Sequence, residues 1–304
     1  MNEFPTDTYT LIDTGDNQRL EQVGPYRVIR PAALALYPKS RPELWDGADG
    51  VYIKNETGSG HWDWRGGKKG RKSPDPDTEF LLNVHDFRVK IRFTPFGHLG
   101  IFPEQLVNWQ LLQMLGPALP PGSEALNLFA YSGLSTLACL SGGMAVCHLD
   151  ASKGMVEWAR ENAAASNLSG GKVRWIVEDV VKFIRREVKR KRPYAGVILD
   201  PPTFGRGSKG EVWKIERDLP ELLDHLIHDL CGGEPEFVIL TCHSTGFTGH
   251  TLARLLGGRI APEHRDRGVF VANELFIPEE VGRTVYPSGS AAVFLSKRLK
   301  HLAE

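Results

Sequence analysis

Two hydrophobic rhythms divide the chain. Up to about residue 95, apolar and polar positions alternate in short stretches broken by turn residues. The segment YTLIDTGDNQRLEQVGPYRVIRP holds apolar stretches around Gly15-Asp16 and Gly24-Pro25, the pattern of successive hairpins. Residues 58–77, GSGHWDWRGGKKGRKSPDPD, are polar and rich in Gly and Pro, and read as an exposed loop. Alternation resumes over Leu81 to Phe93, where Phe87, Val89, Ile91 and Phe93 interleave with Asp86, Arg88, Lys90 and Arg92. This pattern predicts a small β-rich domain over residues 1–95, without internal repeats.

Beyond about residue 100 the period lengthens. FPEQLVNWQLLQML opens on Pro103 and sets Leu106, Trp109, Leu112 and Gln113 at helical spacing. Strands are then predicted at Ala125–Phe129, Ala145–Leu149, Val173–Val177, Ala195–Leu199 and Phe237–Thr241. Helices are predicted between them at Leu134–Leu140, Lys153–Ser166, Val180–Lys191 and Leu219–Leu230. A helix over Thr251–Leu256 leads to Gly268–Ala272 and Ala291–Leu295, a candidate closing antiparallel pair. Strands that alternate with helices imply right-handed crossovers and a parallel sheet. The expectation is an α/β fold, a doubly wound, mostly parallel sheet over residues 96–304.

Composition narrows the classes. With 304 residues, 41% hydrophobic and 24% charged, the chain can bury a proper core. Its longest apolar runs are of strand length, too short for a bilayer, and MNEFPTDTYT lacks a secretory signal pattern. The four cysteines include no CxxC pair, which points away from zinc or disulfides and toward the cytoplasm. Lys plus Arg (37) balance Asp plus Glu (37), so any nucleic-acid role rests on local patches. No metal and no membrane partner are expected.

In an open parallel sheet, ligands bind beyond the carboxyl ends of the strands. Those ends carry LNLFAYSGLST with Gly133, HLDASKG with Asp150, VEDV with Asp179 and DPPTFG with Asp200. A carboxylate ending the second strand can accept from both hydroxyls of a ribose. Asp150 and Asp179 are equally suited to cap the helices that follow them. The first turn has one glycine and lacks G-x-G-x-x-G, which sets nicotinamide and flavin dinucleotides aside.

GIFPEQ (100–105), LNLFAYSG (126–133), LDASKGMVEWARENAAASN, EDV (178–180), ILDPPTFGRG (198–207) and LTCHSTGF (240–247) together resemble the class I S-adenosylmethionine methyltransferases. The likeness is closer to the RlmI/RlmK-like large-subunit ribosomal RNA methyltransferases, and spans roughly residues 80–295. It implies a Rossmann-like domain with a seven-stranded sheet, S-adenosyl-L-methionine as cofactor and ribosomal (23S) RNA as substrate. It further implies cofactor contacts from Gln105, Asn127, Phe129, Tyr131, Ser132, Gly133, Asp150, Ala151, Ser152, Asp179, Asp200 and Pro201. Glu104-Gln105-Leu106 stands where the family often has Asp-Gln-Arg, and the N-terminus is short for the RNA-binding PUA domain of close relatives.

The atom that takes the methyl group stays open. Carbon 5 of a pyrimidine needs a cysteine to add at carbon 6, and Cys242 resembles that position, with Asp200 bonding the base. As a small residue ending a buried strand, Cys242 is equally suited to the core. DPPTF is also similar to the loop of enzymes that methylate base nitrogens, with Pro202 and Phe204 against the base. Arg206 and Lys209 would meet the nucleic-acid backbone. The cationic runs 65–72, beside Trp62 and Trp64, and 185–192 are candidate phosphate contacts or solvated surface. Competing functions are a small-molecule or protein methyltransferase and a non-catalytic RNA-binding module; an oligomer is compatible with all of them.

Overall fold

Alternating sequence becomes antiparallel strand wherever a turn can reverse the chain, and the N-terminal segments supply such turns. The computed structural model describes residues 7–55, 59–65, 78–206 and 212–303, with the backbone alone for Arg206. Internal contacts separate two units: Met1–Pro103 with Phe276–Pro287, and Glu104–Leu275 with Ser288–Glu304. Residues 96–103 thus lie with the N-terminal part, and a segment late in the chain returns to it.

In the first unit, β1 (Tyr9–Gly15), β2 (Gln18–Val23), β3 (Tyr26–Pro31), β4 (Gly50–Lys54) and β5 (Gly60–Trp64) form one sheet in that order. All neighbours are antiparallel except β3 and β4. Asp16 and Asn17 turn β1 into β2 at φ 51° and 61°, the left-handed pair that fits a two-residue hairpin to strand twist. The stretch expected as a loop over 58–77 contributes β5 at residues 60–64. Its alternate residues Trp62 and Trp64 stack at 5.4 Å and 17°, and Phe93 meets both edge-on. That aromatic packing outweighs the poor strand propensity of its glycine. The alternation over 81–93 is divided into a hairpin, β6 (Glu79–Val84) and β7 (Phe87–Arg92), at His85, which takes φ 53°. The returning segment adds Ile277 and Tyr286 to a core with Leu11, Ala32 and Ala35.

The second unit holds β8 (Glu124–Leu128), β9 (Ala145–Asp150), β10 (Val173–Val177), β11 (Gly196–Leu199), the short ribbon β12 (Phe204–Arg206) and β13 (Val212–Lys214), and β14 (Phe237–Cys242). β15 (Val269–Pro278) and β16 (Val285–Leu295) complete a seven-stranded sheet of order β10-β9-β8-β11-β14-β16-β15. The first five strands are parallel and β16 is antiparallel to β14. β11 and β14 are buried at every position, as strands covered on both faces must be.

The connections are α1 (Leu106–Ala118), α2 (Leu134–Ser141), α3 (Lys153–Ala165), α4 (Val180–Arg190), α5 (Ile215–Asp224), α6 (Gly249–Gly257) and α7 (Pro262–Arg267). α5 starts four residues before its expected place and widens into a π-helical turn over His225–Leu230. α7 has no buried residue, so it left no apolar stripe in the sequence to announce it. No helix among the described residues is long and apolar enough to cross a membrane.

Candidate functional site

Strand register delivers the polar residues to one edge. Leu128 of β8 pairs with Leu149 of β9 and Leu199 of β11, and Leu199 pairs with Leu240 of β14. The next residue on each strand therefore emerges level, beyond a buried leucine layer: Asp150, Phe129, Asp200 and Thr241. Asp179 follows two residues after Val177, the partner of Asp150. Gln105, in the turn before α1, reaches the same edge by donating from Nε2 to Thr241 Oγ1 at 3.3 Å. Asn108 fixes Gln105 by donating to its Oε1 at 2.7 Å.

The turn after β8 is the most constrained backbone at this edge. Phe129, Tyr131 and Gly133 take φ values of 54°, 49° and 90°, a run of left-handed residues that two side chains adopt only under compulsion. The compulsion is visible. Tyr131 N donates to Asp150 Oδ2 at 2.9 Å, Ala130 N to Leu149 O at 3.0 Å, and Asn162 Nδ2 to Ser132 O at 2.9 Å. At Gly133 a Cβ would lie 2.7 Å from the Ala159 Cβ of α3, so both conformation and space require glycine. Asn127 is buried, its amide donating to Thr136 Oγ1, which pairs with His148 Nδ1, both at 2.9 Å. Burial, with Arg160 assisting, holds His148 neutral by lowering its pKa to about 3.

Asp150 keeps one backbone bond per oxygen, from Tyr131 N and from Ser152 N at 2.9 Å. Burial pushes its carboxyl above the ordinary value while these two N–H groups pull it back. Each oxygen retains a lone pair able to accept a hydroxyl, so this pair of acceptors fits a ribose diol beside the exposed Ala151 and Ser152. Asp179 Oδ1 accepts from Lys182 N at 3.0 Å, the helix-capping bond foreseen as its simplest use.

After β11, Pro201 is buried, and Pro202, Thr203 and Phe204 are exposed at the root of the β12–β13 ribbon. Trp213 Nε1 donates to Pro202 O at 2.7 Å, and Thr203 shares a 2.6 Å hydrogen bond with Ser244. Cys242 is 1% exposed and packs in the main core cluster. Its Sγ accepts from Ser244 N at 3.4 Å. Burial raises its thiol pKa, opposed by Ser244 and reinforced by Asp200 and Glu216.

His243 was legible only as a neighbour of Cys242; its ring instead faces Asp200, Ser288 and Glu104. Glu104 stood out only as the neighbour of Gln105 in GIFPEQ, and nothing in the sequence linked Ser288 to this edge, because its place depends on how β16 pairs with β14. The Arg206 side chain, Lys209 and the cationic residues 66–72 lie outside the described residues. In the run 185–192, four of six cations pair with carboxylates: Arg185 with Glu221, Arg186 with Glu178, Arg190 with Glu187 and Arg192 with Glu124. Those pairings favour its reading as structural surface.

Comparison with known proteins converges on the same chemistry. A family model described as S-adenosylmethionine-dependent methyltransferase matches residues 106–237. The crystal structure of an S-adenosylmethionine-dependent methyltransferase from Agrobacterium tumefaciens is 32% identical, with a TM-score of 0.84 over 97% of this chain and 92% of that one. A Streptococcus mutans structure of the same description is 16% identical, covers 96% of this chain and 76% of that one, and shares the fold at TM-score 0.71. Ribosomal RNA large subunit methyltransferase K/L of Shewanella frigidimarina is 30% identical over 165 residues, 54% of this chain and 22% of that protein. The chain thus spans about a fifth of the length of the curated relatives it matches.

Proposed function

The chain belongs to the S-adenosylmethionine-dependent methyltransferases, and from that premise we propose that it methylates a base of large-subunit (23S) ribosomal RNA in the cytoplasm. The observation that carries this reading is the level row of Asp150, Phe129 and Asp200 at the carboxyl ends of β9, β8 and β11. The RNA half draws on the ribosomal RNA large subunit methyltransferase K/L relatives and on the cationic run 65–72 in the sequence.

When bound, the cofactor supplies an electrophilic methyl group on a sulfonium, so the protein's task is positioning and electrostatics. In this reading Asp150 accepts from the ribose hydroxyls, with Ala151 and Ser152 beside it. Asp179 takes the adenine amine with the oxygen its capping bond leaves over. Phe129, Tyr131, Ser132 and Gly133 wrap the methionine end, with Asn127 bracing that turn through Thr136; Gln105 and Pro201 line the site. Asp200 meets an N–H of the target base, Pro202 and Phe204 flank that base, and Arg206 and Lys209 face the phosphates. Tritiated S-adenosylmethionine with deproteinised 23S ribosomal RNA tests the assignment. Label should enter the RNA, and RNA binding should weaken steeply with salt; no label in the RNA contradicts it.

One observation favours a second reading of the reacting atom. Cys242 comes one residue after Thr241 in the level row, on the strand next to that of Asp200, where a nucleophile for carbon 5 chemistry would stand. Cys242→Ala would then abolish transfer while cofactor binding survives. Full activity in that variant removes the covalent route and leaves methylation of a base nitrogen.

A further inference from the structure

Two carboxylates face one imidazole at the end of β14, and the functional reading above employs only one of them. His243 Nδ1 lies 2.6 Å from the carbonyl oxygen of Ser288 on β16 and 3.7 Å from Glu104 Oε1 in the turn before α1. A carbonyl oxygen only accepts, so Nδ1 carries a proton whether the ring is neutral or charged. Nε2 points to the other side, 3.4 Å from Asp200 Oδ2.

The ring is anchored from behind. Glu104 is 5% exposed and accepts from Ser288 Oγ at 2.9 Å. β16 passes the imidazole with a glycine: a Cβ at Gly289 would stand 2.8 Å from Nδ1 and 3.1 Å from the Cys242 carbonyl oxygen. With Nδ1 committed to Ser288, a neutral ring would aim a bare lone pair at the Asp200 carboxylate. Only the imidazolium can donate there. Burial by itself opposes that charge, but Asp200 first, then Glu104 and the Ser288 carbonyl, outweigh it and push the ring up to about 9. The nearby titratable groups are Cys242 on the same strand and Glu216 on α5, which acts on that thiol.

Asp200 completes the arrangement. Its Oδ2 faces His243, while Oδ1 is buried with no hydrogen-bond partner among the described residues. A buried acceptor left without a donor is costly, and an N–H of a bound substrate would relieve that cost.

We propose that His243 is a positioning residue for Asp200: anchored by Ser288 and Glu104, it holds Oδ2 and leaves Oδ1 as a fixed acceptor for an N–H of the substrate. This inference rests on the reading of Asp200 as the group that meets the target base. The clamp is complete while the ring is charged, and is lost as pH rises through about 9.

Two measurements test it on the full chain. The first, an NMR titration of the His243 ring, needs no substrate. The midpoint should be near 9 in the unmodified protein and fall by at least about one unit toward the ordinary value of ~6.5 in Asp200→Asn. A midpoint already near ~6.5, or one unmoved in Asp200→Asn, overturns the clamp. The second is methyl transfer to 23S ribosomal RNA across pH 6 to 10. His243→Ala should lower kcat by roughly ten- to a hundredfold, leave the affinity for S-adenosylmethionine unchanged and remove the alkaline decline. His243→Gln, which keeps a donor without a charge, should recover part of the rate and also lack that decline. An unaltered kcat and pH profile in His243→Ala overturns the positioning role. If even the unmodified protein labels no RNA, the RNA assignment fails, and the titration alone decides the clamp.

Discussion

At the scale of single residues, the site is made of side chains that each do a local job and leave something over. Asp179 caps α4 through Oδ1, so Asp179→Ala should destabilise the fold by about 1 kcal/mol. Asp179→Ser restores a good cap on a shorter side chain. Thermal unfolding should therefore recover in the serine variant, while affinity for S-adenosylmethionine stays about tenfold down; full affinity there would reduce Asp179 to a cap. Gly133 is constrained twice, by φ 90° and by the Ala159 Cβ. Gly133→Ala should cost at least ~1–2 kcal/mol from the backbone conformation alone, seen as a lower Tm together with weaker cofactor binding. An unchanged Tm would mean that the turn and α3 yield freely. That Asp150, Asp179 and Asp200 share one edge was legible, because each follows a predicted parallel strand. Glu104 and Ser288 were not, since neither ends a parallel strand: the β14–β16 pairing brings Ser288 to His243, and Glu104 arrives from the turn before α1.

At the scale of elements, hydrophobic period marked the five parallel strands and the helices between them to within a few residues, but it cut β15 and β16 six residues short and missed features with little burial. β12, β13 and α7 bury too little to leave a pattern, and β5 was hidden by glycines whose cost Trp62 and Trp64 offset through stacking. The outer edge of the sheet is closed by a polar device that apolar pattern cannot reveal. Glu187 of α4 is fully buried and accepts from Arg174 Nη1 at 3.0 Å and from Tyr194 OH at 2.5 Å. Burial raises its pKa, yet Arg174, Tyr194 and Arg190 together bring it down to about 2. A carboxyl lowered in the folded state stabilises above its unfolded value and loses that contribution as pH falls toward its folded value. Stability should therefore decline between about pH 4.5 and 2, with buried Glu21, paired to Arg30, adding to the same limb. Glu187→Gln should flatten part of that decline in acid melts; an unchanged limb would show that Glu187 is not paired. Arg174→Ala leaves the buried carboxylate to Tyr194 and Arg190, at a cost of about 1.5–3 kcal/mol, and should lower Tm on the order of 5 °C.

At the scale of the whole molecule, the chain is neutral in total, and its two units have different sequence logics. The sheet unit follows from alternating strands and helices, whose right-handed crossovers allow few strand orders. The return of residues 276–287 to the first unit was beyond reach, because strand period says which face is buried and not which neighbour buries it. Every functional role assigned to these residues depends on the carboxyl edge of that sheet being a site for S-adenosylmethionine. Isothermal titration of the cofactor into the full chain tests this most directly. One equivalent should bind with measurable heat, and Asp150→Ala should weaken it by roughly ten- to a hundredfold, about 1.4–2.7 kcal/mol. No heat in the unmodified protein, or equal affinity in Asp150→Ala, would contradict it.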